Sequence, residues 1–278
     1  MARMMLKNLP FMKMHGLGND FVVLDARDHP IPLPEALIKR IGHRHFGVGF
    51  DQLAVIESGT ADAHLVFYNA DGSMSAACGN ATRCIARFLM VELGKSELSL
   101  TTERGTLFAK DLGNGLTSVN MGAPQLMWRD IPLASEMDTL YLPIEGQPTA
   151  TGMGNPHCTF FVENAENIDL SKRGAEIEVH PLFPQKTNVQ FASIISDNHL
   201  RMRVWERGVG VTLASGSSSC ATAVAAARRG LTGRSVTIDL DGGQISIDWQ
   251  DDGVWMTGPT AHVFSGEFTS EFLGAFYD

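Results

Sequence analysis

The chain repeats itself. Gly16-Leu17-Gly18-Asn19 returns as Gly152-Met153-Gly154-Asn155 at an offset of 136, and Cys78-Gly79-Asn80 returns as Ser215-Gly216-Ser217 at 137. The run Val66-Phe67-Tyr68-Asn69 lies over Arg203-Val204-Trp205-Glu206, again 137 apart. Gln52 corresponds to Asn188 at 136, and Met121 to Pro124 corresponds to Met256 to Pro259 at 135. Five matches in the same order at a near-constant spacing require two halves of similar fold. With 278 residues there is chain enough for a core in each. The expected division is 1–128, carrying Cys78, a polar, proline-bearing segment 129–147 that suits a connection or a divergent hairpin, and 148–278, carrying Ser215.

Each half reads the same way. Short β-rich runs (Phe21 to Leu24, Leu53 to Ile56, His64 to Tyr68, Leu98 to Thr101, Leu107 to Ala109, Leu116 to Val119) are separated by Gly, Asn and Asp turns. One long apolar helix stands out in each half. The first starts near Gly79 and stops at Gly94; the second starts near Gly216 and stops at Gly230, where Arg228 and Arg229 complement the helix dipole. A weaker helix is expected from Pro34 to His43. Many strands with one long helix per half predict an α+β fold: two pseudo-symmetric domains, each a mixed or antiparallel sheet wrapped around a central helix.

Composition narrows the function. The net charge is −9 and no basic run is dense enough to follow a phosphate backbone, so nucleic acid is not an expected partner. No apolar stretch reaches the roughly 18 residues of a membrane helix, and Arg3, Lys7 and Lys13 interrupt any leader core. The expectation is a cytoplasmic protein with no membrane partner. Cys78, Cys84, Cys158 and Cys220 form no C-x-x-C pair, which argues against both a disulfide framework and a metal site. Any chemistry they do is thiol chemistry.

The repeat singles out the residues that could do it. Cys78 and Ser215 each stand just before a central helix, where unsatisfied N–H groups and the helix dipole lower a thiol's pKa and bind anions. Small and polar neighbours, Ala77, Gly79 and Asn80, set Cys78 apart from a packed core cysteine, whereas Cys84 and Cys158 read as core. His157 follows a Gly-Asn-Pro turn and precedes a strand. Glu206 stands nine residues before Ser215, as Asn69 stands nine before Cys78. The amides pair across the repeat, Asn19 with Asn155 and Gln52 with Asn188. Around one cleft, with Arg207 and the two helix starts, they would bind a small zwitterion; alternatively they serve their own turns. No G-x-x-x-x-G-K-[ST] loop occurs, and no lysine occupies a loop suited to pyridoxal phosphate.

Six segments carry a family resemblance: KMHGLGNDFVVLD from Lys13, GFDQL from Gly49, NADGS from Asn69, CGNATRC from Cys78, MGNPHC from Met153 and RVWERGVG from Arg203. Together they span nearly the whole chain, which resembles the diaminopimelate epimerase family of cofactor-independent two-base racemases and epimerases. The resemblance implies two pseudo-symmetric α+β domains, commonly in a homodimer, converting LL-diaminopimelate to the meso form for lysine and peptidoglycan synthesis with no cofactor and no metal. Carried over by position, Cys78 is one catalytic base with His157 its supporting partner, and Ser215 takes the second catalytic position with Glu206 alongside. Asn19, Gln52, Asn69, Gly79, Asn80, Asn155, Asn188, Glu206, Arg207, Gly216 and Ser217 match substrate-contacting positions.

The departures fall at the second position. Where the family reads A-C-G and G-E-T, this chain has Ala214-Ser215-Gly216 and Gly210-Val211-Thr212, and Ala81 replaces a usual glycine. A hydroxyl is far less acidic than a thiol, so Ser215 cannot rest as a thiolate does. Three readings follow. Ser215 is an introduced change; or it is natural, with Ser215, a water or Cys220 serving that face; or the chemistry is one-sided, as in a dehydratase or another amino-acid racemase. A binding protein that has lost turnover is the reading outside enzymology. The change at Val211 beside Ser215 favours natural divergence.

Overall fold

The computed structural model describes residues 8–75 and 77–276. Arg3, Lys7 and Ala76 lie outside them. The chain divides into two compact units, one of Met1–Gly16, Asp20–Thr117 and Thr260–Asp278, the other of Leu17–Asn19 and Ser118–Pro259.

The first unit runs β1 (Leu9–Gly16), β2 (Asn19–Asp25), α1 (Glu35–Gly42), β3 (Gln52–Glu57), β4 (Ala63–Asn69), β5 (Met74–Ser75), α2 (Gly79–Leu93), β6 (Glu97–Thr102) and β7 (Gly105–Gly113). Strand β2 lies parallel to β3, β3 antiparallel to β4, β4 parallel to β6, and β6 antiparallel to β7. The C-terminal strand Ala261–Phe268 closes this unit by pairing antiparallel with β1. Its core gathers Leu37, Ile38 and Ile41 of α1 with Val22, Leu24, Leu53 and Val55 of the sheet and Phe268 of the closing strand. Helix α2 buries its first eight residues, and it ends where expected: Gly94 turns left-handed at φ 64, and Lys95 N–H reaches back to the Met90 carbonyl at 3.0 Å.

The second unit repeats the order. After β8 (Leu116–Asn120) come β9 (Thr149–Gly152), β10 (Pro156–Phe161), α3 (Leu170–Glu178), β11 (Asn188–Ser196), β12 (His199–Glu206), β13 (Gly210–Thr212), α4 (Gly216–Arg228), β14 (Ser235–Leu240), β15 (Gly243–Gln250) and β16 (Gly253–Pro259). Strand β10 is parallel to β11, β11 antiparallel to β12, β12 parallel to β14, and β14 antiparallel to β15. This is the alternation of the first unit. Helix α4 is buried almost all round, and its run of alanines lets strands approach closely on every side.

Besides the pairing of β1 with the C-terminal strand, two features lie outside the sequence reading. Helix α3 is the counterpart of α1, hidden from periodicity by charged residues and a glycine. The segment 129–147 holds no strand, yet it buries Ile131, Leu133, Leu142 and Ile144 in the second unit's core. The arginines closing α4 bind this segment: Arg228 donates to the Ala150 carbonyl at 3.2 Å and to Thr139 Oγ1 at 2.9 Å, and Arg229 lies over the Tyr141 ring at 4.6 Å.

Candidate active site

Cys78 and Ser215 are the N-cap residues of α2 and α4, with nearly the same backbone: φ −143 and ψ 104 against φ −138 and ψ 118. Neither side chain caps its own helix. A hydroxyl one turn on instead donates back to each N-cap carbonyl, Thr82 to Cys78 and Ser219 to Ser215, both at 2.8 Å. The two helix starts therefore share one bonding pattern around the N-cap residue.

The two caps differ in what surrounds them. In the first unit, the buried guanidinium of Arg83 donates from Nη1 to Oδ1 of Asn80 at 3.0 Å, two residues from Cys78. Gln52 and Asn69 face each other across β3 and β4, Gln52 donating to Asn69 Oδ1 at 3.1 Å while Asn69 donates to Ser73 Oγ at 3.0 Å. Beside them, Lys13 and Arg44 pair with Asp20; burial raises its pKa, but the hydrogen bonds from Arg44 and then Lys13 outweigh it and hold the carboxyl below its usual value. Gly79 is buried with Asn80.

In the second unit Ser215 Oγ donates to Oε2 of Glu206 at 2.8 Å, and Thr212 Oγ1 donates to the other carboxylate oxygen at 2.6 Å. His157 is fully buried, with Nε2 against Asn155 Oδ1 at 2.8 Å and Nδ1 against Gln190 Nε2 at 3.0 Å. Asn188 spends both ends of its amide nearby, accepting from the Arg207 N–H at 2.9 Å and donating to the Pro156 carbonyl at 3.1 Å. The Arg207 guanidinium holds the Gln185 carbonyl at 2.9 Å. Gly216 is buried and Ser217 half-buried at the start of α4. Asn19, in the segment Leu17–Asn19, belongs to this unit, where Leu17 and Gly18 lie against Gly242 and Leu213.

Three pairs of the expected site residues are therefore in hydrogen-bond contact in the second unit: Glu206 with Ser215, Asn155 with His157, and Asn188 with Arg207. Gln52 and Asn69 make one such pair in the first. The other cysteines are core groups. Burial pushes the Cys84 thiol up to about 11, and burial raises Cys158 further still. The residues missed at the sequence level are Thr212, Gln190 and Ser218, which touch Glu206 and His157; position-by-position comparison of the two halves carries the signal for the last two.

A sequence profile of the diaminopimelate epimerase family matches residues 11–127 and 149–263. The chain belongs to the diaminopimelate epimerase family. A diaminopimelate epimerase of Rhodospirillum centenum is 50% identical over 271 residues, covering 95% of this chain and 93% of the relative. One from Acinetobacter baumannii is 44% identical over 271 residues, covering 93% and 96%. The fold is shared more widely. A PhzF-family phenazine biosynthesis protein of Bacillus anthracis superposes with a TM-score of 0.67 at 15% identity, covering 95% of this chain and 99% of that one. A hydroxyproline epimerase of Agrobacterium vitis, solved with trans-4-hydroxy-L-proline, gives 0.68 at 15%, covering 94% and 92%. Membership in the diaminopimelate epimerase family makes this chain an amino-acid epimerase. Among the described residues, no helix is long and apolar enough to cross a membrane.

Proposed function

We propose that this enzyme interconverts LL- and meso-diaminopimelate by exchanging the α-proton, with Cys78 serving one face of the α-carbon and a Ser215–Glu206 pair the other. The observation that carries this reading is the Ser215–Glu206 hydrogen bond at an N-cap that otherwise reproduces that of Cys78. In one direction the Cys78 thiolate takes the α-proton. Ser215 Oγ–H then protonates the opposite face as Glu206, in its acid form, returns a proton to Ser215. In the other direction Glu206 takes the Ser215 proton while Ser215 takes the α-proton, and the Cys78 thiol delivers its own. The helix N-termini support the negative charge that builds on the substrate carboxylate. His157 is the supporting partner of Cys78 in this reading, and the remaining contact residues hold the two ends of the amino acid.

Incubation of the protein with LL-diaminopimelate in D₂O tests the proposal. Deuterium at the α-carbon with meso product is expected; exchange without inversion would assign one-sided chemistry, and binding without exchange would leave only a receptor. Cys78→Ala should lower exchange by about 10²- to 10⁴-fold, the usual cost of losing a placed acid or base. Undiminished exchange would remove Cys78 from the mechanism. We also assign the enzyme to the cytoplasm, on its composition, and to a homodimer, as the resemblance implies; a monomer in sedimentation equilibrium at assay concentration would refute the dimer.

A further inference from the structure

Four buried side chains of the second unit form a hydrogen-bonded polar cluster. His157 and Thr159 lie on β10, Gln190 on β11 and Ser218 in the first turn of α4, and all four are fully buried. Gln190 links them. Its Oε1 accepts from Thr159 Oγ1 at 3.1 Å, while Nε2 donates to Ser218 Oγ at 3.0 Å and to His157 Nδ1 at 3.0 Å.

The repeat shows that the fold does not need this polarity. The equivalent positions in the first unit are Phe21, Val23, Ala54 and Ala81. They occupy the same register, Val23 opposite Ala54 as Thr159 is opposite Gln190, and they too are fully buried. One half thus packs this site with apolar groups, and the other places four polar residues there. Burying such groups gains little over apolar packing, and each is costly if left without a partner. Stability alone gives no reason for the cluster.

Its bonds have a direction that ends at a site residue. With Gln190 Nε2 donating to Nδ1, the imidazole is neutral and carries its hydrogen on Nε2. That hydrogen goes to Oδ1 of Asn155, so the Asn155 amide nitrogen is the end turned away from the ring. We infer that Gln190, braced by Thr159 and Ser218, is a positioning residue that fixes His157 as the neutral Nε2–H tautomer and thereby presents the Asn155 amide as a hydrogen-bond donor to a carboxylate of the substrate. The substrate assignment rests on the function proposed above; the tautomer does not.

Gln190→Glu reverses the polarity of the central link. A carboxylate against Nδ1 draws a proton to that nitrogen, and Gln190→Met removes the link at similar volume. In ¹⁵N-histidine-labelled protein near pH 7, the native enzyme should show His157 protonated at Nε2 alone, and Gln190→Glu should show it protonated at Nδ1. In kinetics, both variants should raise KM for diaminopimelate about tenfold, and Gln190→Glu should move the acidic limb of kcat/KM to higher pH, beyond the lower melting temperature that loss of a buried amide brings by itself. A purely structural glutamine would lower the melting temperature and leave the tautomer, KM and pH profile alone. Native His157 protonated at Nδ1, or either variant with unchanged KM and pH profile, overturns the inference. Were the native enzyme inactive on diaminopimelate, the function proposed above would fail while the NMR measurement still decided the tautomer.

Discussion

Ser215 and Cys78 share a backbone conformation and a back-bonded hydroxyl one turn on, so what separates them is the chemistry of the two side chains and of the groups around them. A thiol can lose its proton near neutral pH and act by itself; an unassisted hydroxyl cannot. The sequence places Glu206 beside the missing thiol but gives no sign of Thr212, which reaches the Glu206 carboxylate across the turn that joins β12 to β13. Both carboxylate oxygens accept hydroxyl hydrogens, which aims Glu206 at Ser215. Glu206→Gln preserves the shape and removes the proton carrier. It should lower α-proton exchange by about 10²-fold or more, read by ¹H NMR of diaminopimelate in D₂O. Exchange at the parent rate would mean that protons do not pass through Glu206. Ser215→Cys should raise the rate, and a lower rate would show a site rebuilt around the hydroxyl.

The elements most legible in the sequence are those with local punctuation. Helix α2 begins and ends at the expected residues because Gly79 opens it and Gly94 can turn left-handed to close it. The strand runs were found to within a few residues, since alternation and turn residues are local signals as well. Three features were not legible, each for lack of local cause. Strand β1 finds its partner in Ala261–Phe268 at the other end of the chain, α3 lacks a clean apolar stripe, and segment 129–147 is buried without regular structure. The loop that presents Asn19 is another long-range product. A Cβ on Gly242 would lie 1.9 Å from the Leu17 carbonyl oxygen, so backbone there packs directly on backbone. Gly242→Ala must move the Leu17–Asn19 segment. A rise in KM larger than the fall in kcat is expected, because Asn19 is a binding group in the proposed site. An unchanged KM would take this loop out of substrate binding.

At the scale of the molecule, duplication has given two units with the same strand alternation, one holding a cluster around Leu37, Ile38 and Ile41, the other a cluster around Phe160, Ile177 and Phe191. The halves have diverged where chemistry is at stake: thiol against hydroxyl at the caps, and apolar against polar at the cluster around Gln190. A chain with two cores is expected to depart from all-or-none unfolding. Ile41→Ala and Ile177→Ala each empty a fully or nearly fully buried site, and each should cost about 2–5 kcal/mol. Differential scanning calorimetry should resolve two transitions, with Ile41→Ala lowering one and Ile177→Ala the other. Equal displacement of a single transition by both variants would show that the two cores melt as one, and that duplication here preserved a single cooperative unit.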